Sequence, residues 1–274
     1  NFSHEHDDVF FGINATIFES LKDSYNDKYE YVLPDATFNK NLLNHDKLGV
    51  LDLNSNIKIN NYDTNKLSSF LVNDINWKSR DLVLKNGINT NLLGNLRNIN
   101  YEAKNIDIYK DNQTSELHGA LGFMSKLNLQ KENNFEKHSL VPKILLRYSP
   151  GSMRKEDSGS RLTASNAFSL NKLDNIYNFE TGLSATLGFD YSRKIGNLDE
   201  IDFSLAQVVN EKENKKMASK TSLDEKLSDL VGSASYKPNS KTNLNYNFAI
   251  DQNYRDFNYS DIGANVNFNP VSFD

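Results

Sequence analysis

A chain of 274 residues is long enough for one large β domain or two ordinary ones, and it is aromatic yet polar, with 13 Tyr and 16 Phe against a single Trp and only 38% apolar residues. Its 31 Lys and Arg against 36 Asp and Glu give a net charge of -5 without a basic block, which argues against a phosphate-binding stripe and so against nucleic acid as a partner. The lack of cysteine excludes disulfide staples, thiolate metal sites and Cys nucleophiles, and no run approaches the roughly 18 apolar residues a membrane-spanning helix needs.

The opening Asn1-Phe2-Ser3-His4-Glu5-His6-Asp7-Asp8 has neither the basic nor the apolar region of a secretory signal, and the chain reads as an internal piece of a longer protein. In chain order, alternation of apolar and polar residues predicts strands at Val9–Phe18, Tyr29–Lys40, Leu48–Asn60, Lys66–Ser79, Leu82–Leu93, Arg97–Lys110 and Ser115–Lys131. The second half adds Leu140–Ser149, Arg161–Lys172, Phe179–Arg193, Leu198–Asn210, Leu227–Lys237, Thr242–Gln252 and Tyr259–Pro270. From Leu183 onward the pattern is clearest: Leu183, Ala185, Leu187, Phe189 and Tyr191 fall on one face, and Ser184, Thr186, Gly188, Asp190 and Ser192 on the other. Leu51, Leu53, Ile57 and Ile59 repeat it, as do Leu121, Phe123, Leu127 and Leu129, and Leu244, Tyr246, Phe248 and Ile250 opposite Asn243, Asn245 and Asn247. A helix would scatter these residues around its circumference.

The expected fold is therefore all-β, an antiparallel transmembrane barrel of the outer-membrane type. About fourteen strands, many as long as the roughly 9 to 11 residues needed to cross the hydrocarbon, form part of a larger barrel. Short polar links such as Pro238-Asn239-Ser240-Lys241 and Lys194-Ile195-Gly196-Asn197 suit tight hairpins, whereas Pro150 to Gly159 and Glu211 to Lys226 are longer. Residues Glu211 to Lys216 form a charge run assigned to an exterior loop. Tyr29, Tyr31, Trp77, Tyr101, Tyr109, Tyr148, Tyr177, Tyr191, Tyr254 and Tyr259 lie toward strand ends, where amphipathic rings favour the membrane–water interface. No composition shift marks a boundary, so residues 1–274 read as a single barrel region.

Chemistry-bearing groups are sparse. His4, His6 and Asp8 would share one face of a strand, but a metal site needs a fourth ligand and a held geometry, and none is assigned. His45, His118 and His138 are isolated from any nucleophile motif. Gly182, Gly188, Gly232 and Gly263 fit no phosphate-loop spacing and read as glycines that relax a curved strand. The sequons at Asn14 and Asn112 read as coincidence in an Asn-rich chain. No catalytic, cofactor-binding or metal-binding residue is assigned, no cofactor is expected, and the residues that meet substrate stay unnamed.

Three stretches resemble the LptD family. They are Leu140-Val141-Pro142-Lys143-Ile144-Leu145-Leu146-Arg147-Tyr148-Ser149-Pro150; Asn166-Ala167-Phe168-Ser169-Leu170-Asn171-Lys172-Leu173 leading to Leu187-Gly188-Phe189-Asp190-Tyr191; and Ser219-Lys220-Thr221-Ser222-Leu223 followed by Ser228-Asp229-Leu230-Val231-Gly232, which looks like the alphaproteobacterial members. Met217-Ala218 stands where Leu-Pro is expected, the family's disulfide cysteines are absent, and its periplasmic jellyroll domain is not evident here. Pro34, Pro142 and Pro270 are not assigned to the family's lateral gate.

The resemblance implies transport without covalent chemistry: insertion of lipopolysaccharide into the outer leaflet of the bacterial outer membrane. Its implied partners are lipopolysaccharide, outer-membrane lipids, an LptE-like lipoprotein plugging the lumen, and a periplasmic Lpt bridge protein acting through the jellyroll domain. An unrelated outer-membrane porin or receptor barrel is the alternative, followed by a barrel-borne lipid hydrolase and then a soluble β-sandwich or solenoid.

Overall fold

Period-two alternation becomes antiparallel pairing in the computed structural model, which describes residues 1–19, 21, 29–62, 66–156, 158–159, 161–196, 199–268 and 271–273. Among the described residues the strands are β1 (Phe2–His6), β2 (Val9–Glu19), β3 (Tyr29–His45), β4 (Gly49–Tyr62), β5 (Lys66–Lys78), β6 (Leu82–Val83), β7 (Ile88–Lys104) and β8 (Thr114–Leu127). They continue as β9 (Leu129–Glu132), β10 (Glu136–Ser149), β11 (Gly182–Ile195), β12 (Asp199–Asn210), β13 (Leu230–Asn239), β14 (Thr242–Ile250), β15 (Phe257–Phe268) and β16 (Val271–Phe273). No helix among these residues is long and apolar enough to cross a membrane, which says nothing of a barrel that crosses with strands.

Two compact units divide the chain. The first comprises residues 1–80, 93–121 and 175–179, and the second residues 81–92, 122–174 and 180–274. Hydrogen-bonded order runs β1-β2-β3-β4-β5-β7-β8 in the first and β8-β10-β11-β12-β13-β14-β15-β16 in the second, with β6 on β7 and β9 on β10. Neighbours in sequence are neighbours in the sheet, the meander that short hairpins permit.

Several strands differ from expectation for local reasons. The two segments expected at 82–93 and 97–110 become the short β6, a tight turn from Leu84 to Gly87 on a positive φ of 82° at Gly87, and one 17-residue strand, β7, that runs without a break through 94–96 and ends at Lys104. The first residues form β1, with His4 opposite Phe11 and His6 opposite Val9. No strand forms at 161–172. Among the described residues fourteen strands still lie on the main path, since β1 and β16 replace the two lost.

Registers put the faces where alternation predicts. In the second unit Leu146 faces Ala185, Ile144 faces Leu187, Tyr191 faces Phe203 and Tyr246 faces Ile262, all on one side. That side is apolar and open, with Leu187 51% and Ile262 79% exposed, while Ser184 and Thr186 on the opposite side are buried. In the first unit Leu53–Ile75 and Ile75–Leu96 pairs continue the same alternation. A water-soluble sheet hides its apolar face; here the hiding must come from lipid. From Leu140 to Tyr148 the apolar row of β10 runs about 27 Å at roughly 3.4 Å per residue, or about 21 Å upright at a tilt near 40°. That approaches the apolar band of about 25 Å in outer-membrane barrels.

Two glycines permit close approach. A Cβ at Gly232 would enter the ring of Phe248, which covers it on the apolar face, and one at Gly188 would collide with the Leu205 carbonyl oxygen and press on Phe168. Gly188 is thus a packing requirement rather than a relaxed bend. Gly188→Ala should destabilise the protein by roughly 1–3 kcal/mol, whereas Gly263→Ala, which meets nothing within 4 Å, should leave stability unchanged. Denaturant midpoints in detergent micelles check both, and equal effects at the two glycines would refute the packing argument.

Candidate functional site

The polar face of the second unit is covered at its long-loop end by two segments, residues 150–174 and 211–229. The stretch 161–172 alternates like a strand, but short polar side chains engage the backbone first. Asn166 Oδ1 accepts from the Thr163 amide at 2.8 Å, Thr163 Oγ1 accepts from the Asn166 amide at 3.3 Å, and the Ala167 amide donates to the Thr163 carbonyl at 3.1 Å. Such local bonds outcompete a ladder. Residues Ser219–Thr221 make one 3-10 turn, ended by Ser222 at a φ of 58°. Met153, Leu162 and Ala167 from one segment and Met217 and Leu223 from the other then bury against Ala206, Val208, Val231 and Ala249 of the wall. In the expected exterior loop Glu211, Lys212, Glu213 and Lys215 stay in solvent, but the chain packs inward from Met217.

Charge fastens what apolar packing begins. Arg147, on the polar face of β10, has a side chain only 1% exposed and donates to the carbonyls of Leu170, Glu180 and Gly182. Its guanidinium lies 3.6 Å from the Glu180 carboxylate, which also receives Lys172 Nζ at 3.0 Å and the Lys172 amide at 3.1 Å. Asn171 Oδ1 accepts from the Glu180 amide at 2.9 Å. Burial alone would push the Glu180 carboxyl up; Lys172 and Arg147 outweigh it and hold it below the ordinary 4.5.

In the first unit Arg97 plays the corresponding part. Its Nε donates to Asp74 at 2.7 Å, its Nη1 to the carbonyls of Ile176 at 3.2 Å and Asn178 at 3.0 Å, and its guanidinium sits over the Phe179 ring. Beside it Phe70, Tyr101, Tyr109 and Tyr177 form an aromatic cluster, with Phe70 and Tyr177 centroids 4.0 Å apart. Three rings expected at the membrane interface thus face the polar side instead. Burial, then the Asp35 carboxylate and Tyr109, push the Tyr177 hydroxyl up to about 12.

Toward the short turns the same face of the second unit is uncovered and polar. Lys143 Nζ meets Asp190 at 2.6 Å, Ser204 Oγ donates to Asp190 at 2.9 Å, and Glu200 lies between Lys194 at 2.6 Å and Lys237 at 3.5 Å. Asn243, Asn245 and Asn247 line up along β14, with Ser235 Oγ donating to Asn243 at 3.0 Å. At the long-loop end a cleft of about 820 Å³ lies between Tyr148, Gly182 and the run Glu211–Lys216. Lys216 there donates to Ser152 Oγ and to the Met153 carbonyl.

The residues considered from sequence come together nowhere. His4 and His6 stack on β1, and Asp8 falls past a turn at Asp7, whose φ is 51°. Among the described residues no three His, Asp or Glu side chains are grouped to hold a metal. His45 Nδ1 accepts from the amides of Lys47 and Leu48, capping its turn. His118 stacks on Phe179, and His138 bonds to Glu136 and Tyr191. Pro34 lies in β3 and Pro142 opposite Phe189, while Pro270 is outside the described residues. Sequence reading missed Arg147, Lys172, Glu180 and Arg97. For Arg147 and Arg97 the available signal was a charged residue at an inward step of an otherwise alternating strand; Lys172 and Glu180 lie outside the strands and carried no such signal.

Arg147→Met should cost about 3–5 kcal/mol by leaving Glu180 buried beside a single cation, and should open residues 150–174 to amide exchange. The depressed Glu180 carboxyl contributes stability in full above about pH 4.5, and this is lost as pH falls through its lower folded value. Exchange protection around Lys172 and Glu180 should therefore fall on acidification, and Glu180→Gln should show that lowered protection already at pH 7. Unchanged protection in both variants would show that the ion cluster does not hold the segment.

A model of the LptD family, described as LPS transport system D, matches residues 5–272, nearly the whole chain. A search of the curated proteins gives no match. The family's outer-membrane barrel accounts for the long antiparallel strands and the open apolar face. The chain belongs to the LptD family, outer-membrane β-barrel proteins of lipopolysaccharide transport.

Proposed function

We propose that the uncovered polar face of these strands carries the saccharide part of lipopolysaccharide on its way to the outer leaflet, while the apolar face stays in the acyl phase. The observation that carries this reading is the inversion of faces: Leu187 and Ile262 are open on the apolar side, and Lys143, Asp190, Ser204 and Glu200 make the uncovered part of the other side polar. Asn243, Asn245 and Asn247 support it, since neutral amides both donate and accept and so exchange partners with sugar hydroxyls without a fixed charge to trap them. The barrel moves its substrate and performs no covalent step on it.

The described residues read as barrel region throughout. An LptE-like lipoprotein in the lumen rests on the covering segments 150–174 and 211–229. Photo-crosslinking residues placed at Asn245 and Asp261 should give lipopolysaccharide adducts in growing cells, and one at Lys215 an adduct with the lipoprotein. Lipopolysaccharide adducts at outward Leu187 with none at Asn245 or Asp261 would overturn the assignment of the path.

A further inference from the structure

We propose that the apolar face of the second unit carries a binding groove for a zwitterionic glycerophospholipid, with an acyl chain over Ala234 and the headgroup at Arg193. Register builds the groove. Ile201 faces Tyr236, Ala234 faces Tyr246, Tyr246 faces Ile262, and Arg193 faces Ile201, so all lie on the outward side near the short turns. Ala234 sits between Phe203 and Tyr246 and lacks the bulk to fill the space between them. The depression left measures about 420 Å³, within the roughly 300–1,000 Å³ of ordinary small-molecule sites.

A hollow in water would simply fill with water. In the hydrocarbon phase an unfilled hollow forfeits dispersion contacts on every wall, so a lipid chain that enters it is held more tightly than its neighbours. The floor and walls are chiefly apolar and aromatic, from Ile201, Ala234, Tyr236, Leu244, Tyr246 and Ile262, with Ser235 and Asn245 reaching the lining between them. One end is charged: Arg193 and Asp199 close the groove. The Arg193 side chain is 33% exposed, its Nη2 donates to Glu136 at 3.0 Å, and its Nε is buried without an acceptor among the described residues, so that a headgroup meets the exposed edge of the guanidinium. Glu136 also takes His138 Nε2 at 3.1 Å.

Charge selects the headgroup. Two carboxylates, Glu136 and Asp199, flank one guanidinium, so an anionic headgroup would meet net repulsion. A phosphate carrying an ammonium group matches both signs, the phosphate toward Arg193 and the ammonium toward the carboxylates. Position agrees as well. The groove lies beside the turn at Gly196 and that at Ser240–Lys241, and short turns mark the periplasmic rim of outer-membrane barrels. It therefore faces the leaflet opposite the one that lipopolysaccharide enters.

Native mass spectrometry of the full-length protein, released from detergent after incubation with phosphatidylethanolamine, phosphatidylglycerol or lipid A, tests this. The unmodified protein should retain one phosphatidylethanolamine in preference to the other two. Ala234→Leu, which fills the groove, and Arg193→Gln should each lower retention about tenfold, the equivalent of ~1.4 kcal/mol. Ile262→Ala removes a wall without adding bulk and should also lower it, which guards against misfolding of Ala234→Leu; heat-modifiable migration verifies folding of each. Equal retention across variants, or a preference for phosphatidylglycerol or lipid A, would overturn the proposal.

Discussion

Arg147 is the constraint on which the second unit turns. A guanidinium almost without solvent has to satisfy its donors inside the protein, and this one does so on three backbone carbonyls and a carboxylate. Those acceptors come from Leu170, Glu180 and Gly182, so the strand cannot keep its arginine unless the chain around them lies against it. Desolvating the three charges costs several kcal/mol per ion, recovered only while Lys172, Glu180 and Arg147 stay together. The ion cluster and the apolar packing of Met153, Leu162 and Ala167 together hold the segment on the wall.

The two faces of the sheet answer to different solvents and are stabilised differently. On the open side, contacts are aromatic and aliphatic, as in the run Phe189, Phe203 and Phe248, and the partner is lipid. On the other, the wall of the second unit changes along its length: apolar and covered near the long loops, ionic and amide-rich near the short turns. Lys143 marks the change, since its ammonium lies over the Phe168 ring of the covering segment and also pairs with Asp190. The polar part of the wall thus ends against a fastened cover.

Much of this was legible in the residues. Alternation alone places β10 to β15, because a lipid-facing strand must keep its apolar residues two apart, and Leu183 to Tyr191 does so without a break. What alternation could not reveal was competition. Residues 161–172 alternate as well as β10 does, yet Thr163 and Asn166 turn the chain by bonding to its backbone. Tyr101 and Tyr177 have the composition of an interface belt, but their direction depends on strand parity and on a loop whose course is tertiary. The ion cluster was hidden for the same reason: Arg147, Lys172 and Glu180 lie too far apart in sequence for spacing to join them. The three stretches that carried the family resemblance nonetheless converge on this one covered wall, supplying Arg147, Ala167, Lys172, Leu223 and Ser228.

Both buried arginines hold their segment chiefly by its carbonyl oxygens: Arg97 takes those of Ile176 and Asn178, and Arg147 those of Leu170, Glu180 and Gly182. A carbonyl is the same chemical group in every amino acid. Attachment of this kind records the course of the chain and is blind to most of its lettering, so positions such as Ile176 can drift in identity over evolutionary time while the path they trace against the wall is kept.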